Sequence, residues 1–217
     1  DLNMDEEISI IDTKTRNEKI KNFFVKNKIF FLSIVVLIIL SFVSFYSFQI
    51  YVDGKREKIS NKYNNAIIDF KNDKKSAVVL SMTEIIKDKD STYSPLALYF
   101  LIDNSLVDDR SEINNFFNIL INKTSLDNEI KNLIIFKKAL YNADYLKENE
   151  LIEILNPVIN SESVWKSHAL FLIAEYFYSK NQKQKSKEFF NKILSTKNAN
   201  QDIIIESQKR LSRDLSE

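Results

Sequence analysis

The chain of 217 residues contains no cysteine, one glycine, two prolines and a single histidine, His168. Without cysteine there are no disulfides, no thiolate nucleophile and no cysteine-ligated metal site. Strand-rich folds need frequent tight turns, so the scarcity of glycine and proline favours helices joined by short polar turns. One histidine excludes multi-histidine metal sites and the HExxH pair. These absences favour an all-α protein that binds no metal.

Other catalytic signatures are also missing from the sequence. It has no glycine-rich phosphate loop and no strained nucleophile turn, and its formal net charge of +1 gives no sign of nucleic-acid binding. Carboxylates are plentiful, but they fall on polar helix faces and in turns, where solvation explains them. We therefore expect a protein that is not an enzyme and that uses no cofactor. An acid–base pair among these carboxylates stays open as an alternative.

What the sequence does have is one long uncharged stretch, Ile29–Val52. As a helix, its residues would extend roughly 36 Å, which exceeds a hydrocarbon core of ~30 Å. A buried core helix is the alternative, although such helices seldom stay uncharged for this length. A cleaved signal peptide is disfavoured because the stretch is long and no small-residue cleavage site follows it. We interpret residues 29–52 as a transmembrane helix in contact with the lipid bilayer.

The segments that flank this stretch suggest an orientation. Residues 1–13 are acidic, and six Lys or Arg residues lie within 14–28, against four between Lys55 and Lys62. Since basic residues prefer the cytoplasmic side, this bias places the tail of residues 1–28 in the cytoplasm and residues 53–217 outside. The reverse orientation, with a cytosolic domain that acts as a docking receptor, is the alternative. Either Met4 is the initiator or the sequence is a fragment.

Three serines form a polar stripe inside the apolar stretch, at Ser41, Ser44 and Ser47. Small polar residues of this kind form contacts between transmembrane helices. We therefore name the stripe as a candidate membrane-helix contact. The alternative is that each hydroxyl bonds to a carbonyl of its own helix.

Residues 53–217 show helical periodicity interrupted by polar turns. We expect N-caps at four positions, which are Ser94 (with Pro95 at the first helical position), Asp109 (with Glu112 three residues later), Ser125 and Ser163. The turns near Asn72, Asp108, Lys147 and Asn181 are spaced about 34–39 residues apart, the period of helix-turn-helix solenoids. The last charged helix, about 201–215, would cap the open end.

The unit Ser167–Lys197 resembles a tetratricopeptide repeat. The matching positions are Ala174 and Ser186 for the small residues, and Phe177 and Phe190 for the aromatic ones. Asn181 stands where the turn usually has glycine. The sequence therefore predicts one N-terminal transmembrane helix followed by a tetratricopeptide-like α-solenoid of about four helix pairs and a C-terminal capping helix. An ordinary helical bundle is the alternative.

The order of these parts resembles the YfgM-like family of ancillary subunits of the SecYEG translocon. The likeness is carried by the acidic Asp5–Glu7, the basic segment, the span, the NPV of Asn156–Val158, the SVWKSHAL of Ser163–Leu170 and the final repeat. It implies a bacterial inner-membrane protein with a periplasmic interaction domain. The implied partners are the translocon, periplasmic chaperones and secreted chains.

A binding surface is predicted on the helix of the final repeat. His168, Phe171, Glu175 and Tyr178 share one side of it, and the first helix of each tetratricopeptide pair lines a concave face. Their aromatic and polar groups would suit a peptide segment. The alternatives are that Phe171 and Tyr178 belong to the core, and that the whole chain is a membrane-tethered envelope enzyme with a carboxylate site.

Overall fold

The computed structural model describes residue 16 and residues 18–215, and within that range the protein is all-helical. Residues 18–26 are helical and a turn at residue 27 follows. The further helices are α1 Lys28–Lys71, α2 Lys75–Asp88, α3 Tyr93–Asp103, α4 Arg110–Lys123, α5 Asn128–Asn142, α6 Glu148–Ile159, α7 Lys166–Ser179, α8 Lys183–Leu194 and α9 Gln201–Arg213. The acidic residues 1–13, with Met4 and Asp5–Glu7, lie outside the described residues.

The chain forms two compact units, Asp1–Glu57 and Lys58–Glu217. In the first unit, α1 is long and apolar enough to cross a membrane, and no part of its most apolar window is buried. A helix in the core of a water-soluble protein would have these side chains covered. Leu37 and Phe45 of α1 are instead 65% and 63% exposed, and α1 is therefore a candidate membrane span.

In the second unit, short turns connect helices that pack in chain order. The core consists of three clusters of buried residues along the sequence: the first joins the end of α1 to α2, α3, α4 and Ile134 of α5, the second joins α5 to α7, and the third joins α7 to α9. Each cluster shares a helix with the next one. Burial is therefore distributed along the chain instead of being gathered around one centre.

Five long-range polar contacts in this unit have similar sequence separations, while others, such as Asn114 with Asn142 and Tyr176 with Leu146, are 28 and 30 residues apart. The hydroxyl of Tyr93 donates to Ser60 Oγ, the backbone N–H of Asn200 donates to Ser167 Oγ, Ser163 donates to Glu129 and Arg210 donates to Glu175. Lys185 donates in the same way to Glu148. These pairs are 33 to 37 residues apart. Each of these five contacts joins two helices, or the residues just before them, that are two elements apart in the chain.

Helices of the second unit end without glycine. Asp73, Lys89, Ser105, Asn181 and Asn198 all adopt positive φ, between 49° and 59°. This left-handed conformation closes helix ends, and it is most often supplied by glycine. Asparagine, aspartate and serine tolerate it because their side chains bond locally. The chain thus makes its turns with polar residues, as the composition predicted.

The predicted caps have mixed outcomes. Asp109 is confirmed, because its carboxylate accepts from the backbone N–H of Ser111. Ser94 is wrong as an N-cap: it lies inside α3, buried, where its hydroxyl donates to the carbonyl of Ile85. The N–H groups of Thr92 and Tyr93 donate instead to the carboxylate of Asp90.

The other two predicted caps are also wrong. Ser125 is wrong, because Asp127 caps α5 by accepting from the N–H of Glu129. Ser163 is wrong as the N-cap of α7, because Trp165 stands at that position without a side-chain cap bond. The hydroxyl oxygen of Ser163 accepts from the N–H of Trp165 in the turn before α7, and its hydroxyl donates to Glu129 of α5.

Candidate functional site

The four residues of the predicted binding face lie on α7, and all four are half-buried. Phe171 packs edge-on against Phe190 of α8, with ring centroids 5.5 Å apart. Glu175 accepts a hydrogen bond of 2.6 Å from Arg210 of α9, and the guanidinium of Arg210 lies 5.2 Å from the ring of Tyr178. Three of the four side chains are therefore engaged by the helices that follow α7.

Arg210 is paired with two carboxylates of the second unit, those of Glu175 and Asp214. Burial raises the pKa of the Glu175 carboxyl, while the Arg210 guanidinium acts in the opposite direction. Hydrogen bonds from Arg213 and Arg210 hold the pKa of the Asp214 carboxyl well below its usual range. Because arginine separates the two acids, they form a structural ion-pair network. The pKa shifts of the two carboxyls are opposed, as those of an acid–base pair would be, but Arg210 hydrogen-bonds to both of them.

His168 contacts other neighbours, Phe136 of α5 and Trp165 just before α7. Its ring lies 5.1 Å from that of Trp165 and 6.0 Å from that of Phe136, and the rings of Phe136 and Trp165 are stacked. Burial lowers the pKa of His168, and its buried Nδ1 has no hydrogen-bond partner among the described residues. The imidazole is therefore neutral at pH 7 and fills space between α5 and α7.

The serine stripe lies on the apolar part of α1. Ser41, Ser44 and Ser47 are all exposed. Another serine of the same helix, Ser33, donates to the carbonyl of Phe30 at 2.7 Å. A serine hydroxyl bonded in this way to its own helix is less available for a contact with another helix. The stripe is therefore an accessible small-residue surface on an exposed apolar helix.

A groove that the sequence did not predict runs between α3 and α5. It has a volume of about 690 Å³ and is lined by Ser91, Thr92, Pro95, Leu96, Tyr99, Ser125, Leu126, Asp127, Ile130 and Leu133. Leu96 and Ile130 are each 41% exposed along it. An open apolar groove with a few polar groups at one end is the usual form of a site for a peptide or a small ligand.

The groove could have been suspected from α3, which is apolar on nearly every side. Its core positions include Ala97, Leu98 and Leu101. That leaves Leu96 and Tyr99 as apolar residues beyond the buried stripe. A helix that is apolar all round has either two packed faces or one packed face and one available face. Only the position of α5 decides whether the second apolar face of α3 is packed or available.

Tyr99 is the unusual polar group of the groove. Its hydroxyl oxygen is buried and has no hydrogen-bond partner among the described residues. Burial, and second the charge of Asp103, raise its pKa to about 12. The ammonium of Lys137 lies 5.8 Å from the centre of its ring. The groove therefore has a neutral aromatic wall with a cation at its edge.

Metal chemistry gains no support from the described residues, in which no group of three or more His, Asp or Glu side chains could hold an ion. The comparisons with known proteins find no matching family model, no match among curated proteins and no match among solved structures. Functional argument for this chain therefore depends on its own residues.

Proposed function

We propose that the protein is a single-pass membrane scaffold without enzymatic activity, whose second unit is a tetratricopeptide-like solenoid that binds other proteins. The observation that carries the proposal is the open apolar groove between α3 and α5, in a chain whose α1 is long and apolar enough to span a membrane. An anchor of this kind holds a binding domain near the bilayer and raises its effective concentration there.

The packing of the second unit supports the solenoid. In such a stack each helix pair contacts only its neighbours, so the core extends along the chain and equivalent contacts recur at the repeat length. The three overlapping core clusters and the polar contacts 33 to 37 residues apart fit that arrangement. On this proposal α3, α5 and α7 are first helices of successive pairs, and α9 is the capping helix.

The small residues of the final pair also fit the tetratricopeptide pattern. The hydroxyl of Ser186 on α8 donates to the carbonyl of Ala174 on α7 at 2.9 Å, and both residues are buried. Phe177 and Phe190 are fully buried beside them. Small side chains at the crossing let the two backbones approach, and the aromatic rings fill the space on either side.

A groove between two first helices suits an extended peptide with apolar side chains. Leu96 and Ile130 offer apolar contacts from opposite walls, and the ring of Tyr99 offers a flat surface. Of the residues of the predicted face on α7, Glu175 and Tyr178 contact Arg210 of α9. We therefore place the binding surface toward α3 and α5.

For partners, we propose the SecYEG translocon together with periplasmic chaperones or secreted chains. The support is the resemblance to the YfgM-like family and the excess of basic residues before the span. On this proposal residues 1–28 are cytoplasmic, residues 29–52 span the bacterial inner membrane, and residues 53–217 are periplasmic. The stripe of Ser41, Ser44 and Ser47 would then be the contact with a translocon helix.

Photo-crosslinking in cells at native expression tests the binding surface. A crosslinking amino acid replaces Leu96 or Ile130, and in the control it replaces Leu80, which is 63% exposed on α2 outside the groove. We expect protein adducts from Leu96 and Ile130, identified by mass spectrometry as translocon subunits, chaperones or secreted chains. Adducts to lipid alone, or equal capture from Leu80, would overturn the proposal.

The orientation has a separate test, which the absence of cysteine makes direct. A cysteine is introduced at Leu80, and intact cells are treated with a maleimide that permeates only the outer membrane. We expect labelling of the intact cells at the level seen after lysis. If labelling needs lysis, the second unit is cytosolic and the protein is a docking receptor on that side of the membrane.

A further inference from the structure

The segment that leads into α1, residues 18–28, has an exposed apolar face. Residues 18–26 are helical, and Ile20, Phe23 and Phe24 are 49%, 57% and 51% exposed. At about 100° per residue these three side chains fall within an arc of roughly 100°. Asn22 and Glu18 lie on the opposite side of the helix, together with Val25, which is 60% exposed. We call residues 18–28 the lead-in segment.

Aromatic rings join this apolar face to the start of α1. The ring of Phe31 lies 4.6 Å from that of Phe24 and 5.9 Å from that of Phe23. Between them, both the backbone N–H and the side-chain amide of Asn27 donate to the carbonyl of Phe23, at 3.0 and 2.9 Å. The N–H of Phe31 donates to the carbonyl of Asn27 at 3.1 Å, so helical hydrogen bonds continue past residue 27 and the apolar face continues into α1.

The charges of the lead-in segment are almost all positive. It contains Lys19, Lys21, Lys26 and Lys28 and one carboxylate, Glu18. At about 100° per residue, Lys19 and Lys26 fall on one side of the apolar arc and Lys21 on the other. Lysines that flank an apolar face on both sides let the rings enter a membrane while the ammonium groups stay at the headgroups.

We propose that the lead-in segment lies in the membrane interface and binds anionic lipid headgroups, with Ile20, Phe23 and Phe24 inserted at the boundary of the acyl chains. This inference rests on the proposed anchor. Two observations favour lipid as the occupant: the lysines complement anionic headgroups, and the apolar face is continuous with a helix that spans the bilayer. A helix of residues 18–26, roughly 14 Å long, therefore starts at headgroup level.

Site-directed spin labelling of the full chain in proteoliposomes tests the inference, and no native cysteine interferes. Three single substitutions are compared: Ile20→Cys on the apolar face, Asn22→Cys on the polar face, and Leu37→Cys within α1. Collision with oxygen reports immersion in lipid, and collision with a water-soluble nickel chelate reports exposure. The vesicles contain phosphatidylethanolamine with phosphatidylglycerol, or phosphatidylcholine alone.

In the anionic vesicles we expect the label at position 20 to be at least about threefold less accessible to nickel than the label at position 22. Substitution of Lys19, Lys21 and Lys26 by glutamine should remove most of this difference, as should vesicles of phosphatidylcholine alone. The matched control replaces Lys55 and Lys58, which follow the apolar stretch, by glutamine, and it should leave the difference unchanged.

Three outcomes would overturn the inference. Equal nickel accessibility at positions 20 and 22 in anionic vesicles, with position 37 rich in oxygen collisions, would reject the interfacial segment and leave the anchor standing. Protection at position 20 that is the same in both vesicles and is lost on neutralising the acids of residues 1–13 would assign the lysines to that acidic tail. A nickel-accessible position 37 would reject the anchor itself.

Discussion

At the scale of single residues, two tyrosines on α3 differ sharply in how their hydroxyls are satisfied. Tyr93 donates to Ser60 Oγ at 2.8 Å, which ties α3 to the end of α1. The Tyr99 hydroxyl is buried and has no partner among the described residues. A buried hydroxyl without a hydrogen bond costs about 1–3 kcal/mol, whereas a paired one contributes about 1 kcal/mol. The same substitution should therefore have opposite effects at the two positions.

The first prediction concerns this pair. Tyr93→Phe should lower the free energy of unfolding by about 1 kcal/mol, because Ser60 loses its donor. Tyr99→Phe should leave stability unchanged or raise it by up to about 1 kcal/mol, because only an unpaired hydroxyl is removed. Urea unfolding of the full chain in mild detergent, followed by helical circular dichroism, measures both. Equal losses at the two positions would mean that the Tyr99 hydroxyl has an essential partner.

Alkaline pH gives the second prediction at the same residue. The pKa of Tyr99 is raised from 10.0 to about 12 by burial, so between these values the folded protein holds a proton that the unfolded chain releases. Stability should therefore fall as the pH rises from about 10 to about 12. Tyr99→Phe should fall less steeply over that window, since it lacks this proton. Urea unfolding midpoints of the unaltered protein and of Tyr99→Phe are measured at each pH. Their difference cancels the contribution of lysines and of the other tyrosines. If the two midpoints fell equally steeply with pH, the prediction would be contradicted.

At the scale of helices, the left-handed helix ends offer a third prediction. Lys89 follows α2 with φ 56° and ψ 35°, and its N–H donates to the carbonyl of Ile86. A side chain is strained in this conformation and glycine is not, so Lys89→Gly should stabilise the protein by about 0.5–1 kcal/mol. The matched control is Lys87→Gly, two residues earlier in the last turn of α2, where glycine should destabilise by a similar amount. Urea unfolding midpoints measure the stability of both variants. A loss of stability in Lys89→Gly as well as in Lys87→Gly would contradict the prediction.

Close approach of α7 and α8 gives the fourth prediction. Ala174 is fully buried, and its carbonyl accepts from the buried hydroxyl of Ser186. Ala174→Leu must separate the helices, so it should cost about 1–3 kcal/mol. Ala77→Leu, at an exposed position on α2, is the control and should change stability by less than about 0.5 kcal/mol. Tolerance of leucine at position 174 would contradict the tetratricopeptide-like crossing that we propose.

Helix content was accessible from the sequence because periodicity and polar turns are local signals. Asp109 is confirmed as a cap for the same reason. Ser94 and Ser125 failed where a second candidate, Asp90 or Asp127, stood within four residues. At Ser94 the outcome was decided by the carbonyl of Ile85, a tertiary partner that no local pattern reveals. Packing thus explains the outcome at Ser94, while at Ser125 a local bond to Asp127 decides it.

At the scale of the whole molecule, the predicted face on α7 and the groove illustrate what a sequence pattern cannot supply. Helical spacing placed Phe171, Glu175 and Tyr178 on one side of α7, but not the helix that meets them. Arg210, the partner of Glu175, is 35 residues away and was not predicted. The α3–α5 groove likewise depends on two helices separated in the chain by α4. Such sites follow from stacking, which periodicity within one helix does not encode.

The fifth prediction tests the anchor on which the proposed role depends. Leu37 and Leu40 are exposed near the middle of the apolar part of α1, at 65% and 56%. Arginine at both positions should cost roughly 6 kcal/mol on insertion, because each charge must be accommodated within hydrocarbon. We expect a severalfold fall in the protein that stays with membranes after an alkaline carbonate wash. Leu80→Arg, on α2, should not change it. Recovery of the unaltered chain in the aqueous fraction would reject the anchor, and with it a scaffold held at the bilayer.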